Sequence, residues 1–142
     1  MPTWLLFSFG SAIFAALVAI FGKIGIQDMS STLATTVRSF IMSGVLLVAG
    51  FMFGTFRGVK WGSFSGREWF FLFLAGLAGA LSWLCYFLAL KLGDPVKVSA
   101  IDRMSLVFVV ILAVLFLGES FTWKTALGAA VMVGGAILIT LK

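Results

Sequence analysis

Five long apolar segments divide the chain, and polar residues are concentrated in the short connections between them. About 20 apolar residues in a helix span the roughly 30 Å hydrocarbon core of a bilayer, where only helices and closed barrels satisfy the backbone. The pattern predicts an all-α integral membrane protein with five transmembrane helices in a single domain, residues 1–142. We place these helices at Trp4–Phe21, Thr32–Phe53, Gly66–Leu92, Pro95–Leu117 and Trp123–Leu141.

Residues at the predicted helix ends support these bounds. Ser65 and Glu68 fit a capping box, in which each side chain satisfies an N–H group at a helix start. Residues 93–95, Gly-Asp-Pro, predict a helix stop, an N-cap and a first helical position, so the third and fourth helices should form a tight hairpin. Gly118 is predicted to end the fourth helix and Thr122 to cap the fifth.

Five spans place the N-terminus and the second and fourth connections on one membrane side, here side A. The other connections and the C-terminus lie on side B. Tryptophan prefers membrane interfaces, and four of the five tryptophans fall at side A: Trp4, Trp61, Trp69 and Trp123.

Basic residues normally set orientation, because cytoplasmic connections carry the excess. Here the count is four on each side, so the sequence barely specifies an orientation. Arg38 and Arg103, within the spans nearer side B, would tilt the balance only if they behave as loop residues. Side A has Arg57, Lys60, Arg67 and Lys124, and side B has Lys23, Lys91, Lys97 and Lys142.

Composition narrows the function classes. The chain is 62% hydrophobic and 11% charged, with no His and one Cys. This removes the usual general base, a Cys/His metal site and a disulfide framework, so we expect neither an enzyme nor a bound metal or cofactor. The basic residues are scattered and form no patch for nucleic acid. We expect a multi-pass protein of the cell membrane, inner or plasma.

Ionisable side chains inside a span cost a few kcal/mol or more, which makes them functional candidates. Three lie within spans and a fourth at a span end: Arg38, Asp102, Arg103 and Lys23. All belong to the side B half of the membrane. Trp83 and Tyr86 on the third helix reach the same depth. We therefore predict a half-buried polar and aromatic pocket near side B.

Polar stripes extend this prediction. Ser99, Asp102 and Ser105 recur every three residues on the fourth helix, and residues 35, 39 and 43 recur every four on the second. Asp102 and its neighbour Arg103 point about 100° apart, so we expect Asp102 to pair with Arg38 or Lys23. The surplus of positive charge favours an anionic group on a ligand.

Each of these residues also has a structural interpretation. Arg38 can snorkel to the interface along its apolar stem, and Lys23 can serve as an anchor there. Asp102 can belong to a structural ion pair. Trp83 and Tyr86 can be packing residues.

Small residues recur every four positions on two helices. Ala126, Ala130 and Gly134 do so on the fifth helix, and residues 75/79 and 76/80 on the third. Such rows let helices approach closely, within one subunit or between two.

Three stretches carry a family resemblance. LSWLCYFLALKLGDPVKVSAIDRMSLVFVVILAVLFLGES, Leu81–Ser120, closely resembles the second half of an EamA module of the drug/metabolite transporter superfamily. FAALVAIFGKIGI, Phe14–Ile26, and LATTVRSF, Leu33–Phe40, are similar to its first half. The resemblance covers nearly the whole chain and is most specific in the ALKLGD, IDRMS and FLGE segments.

The resemblance implies one five-helix module that moves small metabolites or drugs. Most members carry two modules of inverted topology around a central cavity. A single module implies an antiparallel homodimer, which the balanced basic residues permit. Members with two modules often have Pro where this chain has Leu106, so no kink of the fourth helix follows from the resemblance. At the characteristic positions of the EamA pattern this chain retains Lys23, Arg38, Trp83, Asp102 and Arg103.

The leading hypothesis is a secondary exporter of small amphipathic or anionic metabolites that works as an antiparallel dimer. Asp102 would bind the coupling proton, Arg38 and Arg103 would attract substrate, and Trp83 and Tyr86 would line the pocket. One alternative is a non-transporting membrane subunit that pairs with a different protein, for example another five-helix chain. Another is half of a lipid-carrier flippase.

Overall fold

The structure is a computed structural model that describes residues 2–141, which contain helices and no strand. Five segments are long and apolar enough to cross a membrane. The predicted all-α membrane fold with five spans is therefore confirmed. Lys142, counted above on side B, lies outside the described residues. The helices are α1 Thr3–Gly25, α2 Ser31–Met52, α3 Gly66–Leu92, α4 Pro95–Asp102, α5 Ser105–Leu112 and α6 Trp123–Thr140.

The predicted bounds agree closely with the structure except at the end of the first helix. We predicted an end at Phe21, whereas α1 continues to Gly25. Lys23 therefore lies in the last turn of the helix, where a cation is favourable beside the carbonyl end. We predicted a connection after Phe21 because polar residues follow it. The sequence pattern alone does not show that Lys23 has a partner at the helix end.

The fourth span, Pro95–Leu117, is interrupted where the sequence predicted one continuous helix. The N–H of Met104 donates to the carbonyl of Ile101 at 2.9 Å, and that of Val107 donates to Met104 at 2.9 Å. These i→i−3 bonds tighten the chain into a 3₁₀ turn between α4 and α5. No proline is involved, and Asp102 has a lower helix propensity than Ala100 and Met104 on either side of it.

The far end of this span closes with a π-helical turn over Ala113–Leu117. The N–H groups of Gly118 and Glu119 both donate to the carbonyl of Ala113. Gly118 has φ +69°, the left-handed conformation that glycine adopts without steric cost. The predicted stop at Gly118 is confirmed.

The predicted N-caps are also confirmed. Ser65 N–H donates to Glu68 Oε2 at 2.7 Å and Glu68 N–H donates to Ser65 Oγ at 3.3 Å, which is the reciprocal pair of a capping box. Asp94 accepts from the N–H of Val96 at 2.8 Å. Thr122 accepts from the N–H of Thr125 at 3.2 Å.

The chain divides into two compact units, which we describe separately. Unit one contains the described residues up to Lys23 and those from Leu92 onward, and in it α4 and α5 pack on α6. Unit two is Ile24–Lys91, with α2, α3 and a short 3₁₀ turn at Trp61–Ser63.

Few side chains of the described chain are buried. They are Ala19 and Ala136 in unit one and Ile26, Thr35, Phe87 and Leu90 in unit two. Most large apolar side chains are exposed, for example Phe7 at 76% and Phe40 at 75%. Hydrocarbon is as apolar as these side chains, so a membrane protein does not need to bury them in a core.

Candidate functional site

A cation–π contact in unit two joins α2 to α3. The guanidinium carbon of Arg38 lies 3.5 Å from the centre of the Trp83 ring and 5.7 Å from that of Phe87. A guanidinium over an indole is the most favourable cation–π geometry and is worth about 1–2 kcal/mol when partly desolvated. Arg38 and Trp83 are both half-buried. The structure thus brings together two residues that the sequence placed only at a common depth.

Trp83 belongs to an aromatic cluster on one face of α3. Its ring centre lies 5.5 Å from that of Tyr86, nearly perpendicular, and 6.0 Å from that of Phe87. Edge-to-face rings at these distances attract each other. Positions three and four residues apart share a helix face, so α3 itself sets this arrangement.

Phe87 is a member of the cluster that the sequence did not reveal. It is 4% exposed and packs against both Trp83 and Tyr86. Its position four residues after Trp83 was the only available signal. In a helix where almost every residue is apolar, that spacing does not separate packing residues from lipid-facing ones.

Arg38 has unused hydrogen-bonding capacity. Its guanidinium makes no hydrogen bond or ion pair with any residue between positions 2 and 141. No fully buried side-chain nitrogen or oxygen in that range lacks a partner, so its N–H groups remain accessible. A guanidinium stacked by its face keeps its N–H edge available for a two-point bond to a carboxylate or phosphate.

An open groove of about 350 Å³ lies between α2 and α3. This volume is at the lower end of the range of small-molecule sites. The predicted stripe of residues 35, 39 and 43 lies on its α2 wall, and apolar side chains complete the lining. The lining residues are Thr35, Thr36, Ser39, Phe40, Ser43, Ala80 and Leu84.

The hydroxyls of this groove act mainly as acceptors. Thr35 Oγ1 donates to Ser31 O at 2.8 Å, and Ser39 Oγ donates to Thr35 O at 2.8 Å. Thr36 Oγ1 likewise donates to Thr32 O, one turn earlier, at 2.9 Å. Because the hydroxyl protons of Thr35, Thr36 and Ser39 are committed to their own helix, these three hydroxyls offer only lone pairs to a ligand. The groove therefore favours molecules that donate hydrogen bonds.

In unit one, Asp102, Arg103 and Ser105 lie at the interruption between α4 and α5. All three are exposed, and Ser99 is half-buried one turn earlier on α4. Among the described residues of unit one, Asp102 makes no ion pair. No three His, Cys, Asp or Glu residues of the described chain are grouped as a metal site would require.

The pairing of Asp102 with Lys23 or Arg38 stays a prediction, and the structure gives Lys23 a backbone partner. Its Nζ donates to the carbonyl of Gly93 at 2.8 Å. Two further lysines predicted on side B also bind backbone carbonyls. Lys91 Nζ donates to Met29 O at 2.6 Å, and Lys97 Nζ donates to Thr140 O at 3.3 Å.

The predicted site residues are thus distributed over the two units. Arg38, Trp83 and Tyr86 lie together in unit two. The others belong to unit one: Lys23, Ser99, Asp102, Arg103 and Ser105. That all eight residues serve one pocket stays a prediction.

Comparison with known proteins gives a match over nearly the whole chain. Residues 2–141 match the sequence profile of the EamA-like transporter family. A protein of Sinorhizobium sp. named "Uncharacterized transporter in cobO 3'region" is 41% identical over 137 residues, which cover 96% of each chain. No solved structure matches.

A double-mutant cycle tests the Arg38–Trp83 contact. Using Arg38→Gln and Trp83→Leu, we expect a coupling of about 1–2 kcal/mol in the free energy of unfolding, because the stacked pair is half-buried. Reversible unfolding in mixed micelles measures it. Arg67 and Phe71, at 5.8 Å and exposed, form the matched control pair. A coupling no larger than that of the control pair would contradict the contact.

Proposed function

Because the chain belongs to the EamA-like transporter family, we propose that it is a secondary transporter that exports small amphipathic or anionic metabolites. Family membership and five apolar spans identify it as a multi-pass membrane transporter. The proposal adds the class of cargo, the direction of transport and the assembly. The observation that carries it is the Arg38 guanidinium, stacked on Trp83 with accessible N–H groups.

Arg38 binds the anionic group of the cargo. Arginine remains charged at any physiological pH, and its planar fork matches a carboxylate. Trp83 fixes the fork in one plane, so less side-chain entropy is lost when a ligand binds. A charge-assisted hydrogen bond of this kind contributes about 1.5–3 kcal/mol.

The groove between α2 and α3 selects the rest of the cargo. Phe40 and Leu84 offer apolar contact, while Thr35 and Ser39 offer hydrogen-bond acceptors. A small carboxylate with an apolar portion and at least one O–H or N–H donor satisfies these features together. A simple aliphatic acid satisfies only part of them.

Asp102 couples transport to protons in this proposal. It is the last residue of α4, directly before the 3₁₀ turn that separates α4 from α5. Interrupted helices in transporters place backbone and side-chain polar groups where ions and substrates bind. Proton binding at Asp102 would alternate with cargo binding, while Arg103 attracts the anion and Ser99 and Ser105 supply hydroxyls. The sequence shows no nucleotide-binding loop that would supply ATP energy.

The proposed assembly is an antiparallel homodimer in the cell membrane. Five spans and equal numbers of basic residues on both sides support insertion in two orientations. The small-residue row of α3 supports a second subunit, because a Cβ built at Gly76 or Gly79 meets nothing in the described chain within 4 Å. Opposed copies would reproduce the inverted repeats on which alternating access depends.

The carboxylate-binding role of Arg38 is tested with a panel of small carboxylates, each paired with its primary amide, in thermal-shift titrations of the purified protein. We expect at least one carboxylate to stabilise the wild type and its amide to have no effect. Arg38→Gln should weaken this binding at least tenfold, through loss of the charge-assisted bond. Arg57→Gln, the same change on an exposed connection, should bind as the wild type does. Equal binding of acids and amides, or unchanged binding by Arg38→Gln, would refute the role.

The coupling role of Asp102 is tested in proteoliposomes with a carboxylate that passes the first test. We expect its transport to change the internal pH in the wild type. Asp102→Asn should still bind the carboxylate and move no protons, because an amide does not titrate. Asp28→Asn is the control, since Asp28 is exposed on the α1–α2 connection. A pH change that persists in Asp102→Asn would exclude the role.

Dual insertion is tested with a reactive tag fused after the C-terminus. We expect equal labelling from both membrane faces in sealed cells and inverted vesicles. Adding two lysines to the α2–α3 connection should bias the labelling to one face. Labelling from one face in the unmodified chain would rule out the antiparallel homodimer.

A further inference from the structure

A second groove lies in unit two, at the start of α3 and away from the proposed cargo site. It is open, has a volume of about 550 Å³ and is lined by Phe64, Arg67, Glu68, Phe71 and Leu72. Arg67 and Trp83 are sixteen residues apart on α3, a distance of about 24 Å along the helix axis. We propose that this groove binds an anionic phospholipid, whose phosphate pairs with Arg67 and whose acyl chain lies along Phe64, Phe71 and Leu72.

Charge favours an anionic ligand here. Glu68 is the acid that lines the groove beside Arg67, and its Oε2 accepts the N–H of Ser65 at 2.7 Å and the Ser65 hydroxyl at 3.0 Å. Arg67 makes no ion pair among the described residues, and its guanidinium lies 5.8 Å from the centre of the Phe71 ring. Arg57 and Lys60 add positive charge on the same connection. The Glu68 carboxylate is therefore engaged in the capping box, and the Arg67 guanidinium is available to a phosphate.

Aromatic residues place the groove at the depth of lipid headgroups. Trp61 and Trp69 stack at 6.4 Å with 21° between their planes, and Phe64 meets Trp69 edge-on at 6.2 Å. Tryptophan is enriched at the membrane interface. From there, Phe71 and Leu72 continue along α3 in the direction of the hydrocarbon, with exposed fractions of 55% and 65%. This order of cation, aromatic ring and aliphatic surface matches a phospholipid from phosphate to acyl chain.

A zwitterionic lipid fits the groove less well. Its phosphate also attracts Arg67, but its ammonium group would add positive charge at an interface where the connection before α3 already carries Arg57 and Lys60. Like charges at such a site are unfavourable and are only partly screened at the interface. A preference for anionic over zwitterionic headgroups is therefore the distinguishing property of the site.

Native mass spectrometry measures this preference directly. The full-length protein is incubated in micelles with equimolar phosphatidylglycerol and phosphatidylcholine, and the retained lipid is counted. We expect the wild type to retain phosphatidylglycerol at least tenfold more than phosphatidylcholine, and Arg67→Gln to reduce that ratio below about threefold. Lys124→Gln, which removes one positive charge from unit one, should keep the wild-type ratio. Equal retention in the wild type, or equal loss in both variants, would overturn the proposal.

Two further variants separate the site from a folding defect and from simple charge attraction. Arg67→Lys keeps the charge and should retain the preference for phosphatidylglycerol. Phe71→Ala keeps Arg67 but shortens the apolar wall, so it should lower the retention of both lipids several-fold. Loss of the preference in Arg67→Lys, or unchanged retention in Phe71→Ala, would contradict the proposed placement of the lipid.

Discussion

Hydrocarbon offers no hydrogen bonds, so each backbone N–H and C=O group that enters the bilayer needs a partner within the protein. Helical hydrogen bonds meet this requirement within the spans. The backbone groups at the helix ends lack such partners and need others. At helix starts, Ser65, Asp94 and Thr122 accept the first amide protons. Near helix ends and in connections, Lys23, Lys91 and Lys97 donate to main-chain carbonyls. With so few buried side chains, these bonds at helix ends and connections define the chain's path.

The same constraint makes the fourth span informative. A helix can be interrupted in a membrane only if the freed groups find other partners. Here the i→i−3 bonds of Met104 and Val107 supply them. The interruption falls beside Asp102 and Arg103, the two adjacent charges of that span. Local backbone geometry and costly ionisable groups therefore coincide, which is why the proposed coupling site is placed there.

Helix number, most bounds and every predicted N-cap were readable from the sequence, because twenty-residue apolar runs and capping residues are local signals. The extension of α1 was not, since it depends on the carbonyl that Lys23 reaches. The break before Leu106 was not, since no proline marks it. Depth along the spans correctly grouped Arg38 with Trp83. The role of Phe87 could not be predicted, because it is one of sixteen phenylalanines. Lipid-facing and protein-facing positions are equally apolar here, so hydrophobic periodicity does not distinguish them.

The hydroxyls of Thr35, Thr36 and Ser39, which offer only acceptors to the groove, bear on how such a protein evolves. Exchanging Ser39 for Ala would remove one acceptor from the groove. It would leave no acceptor without a partner, because the Thr35 carbonyl still receives its ordinary helical hydrogen bond. Loss of one such hydroxyl should therefore change stability little, whereas Arg38 is held in place by its stacking on Trp83. Under the proposed function, single substitutions could shift selectivity among related molecules while the helix pair and its anion recognition are inherited unchanged.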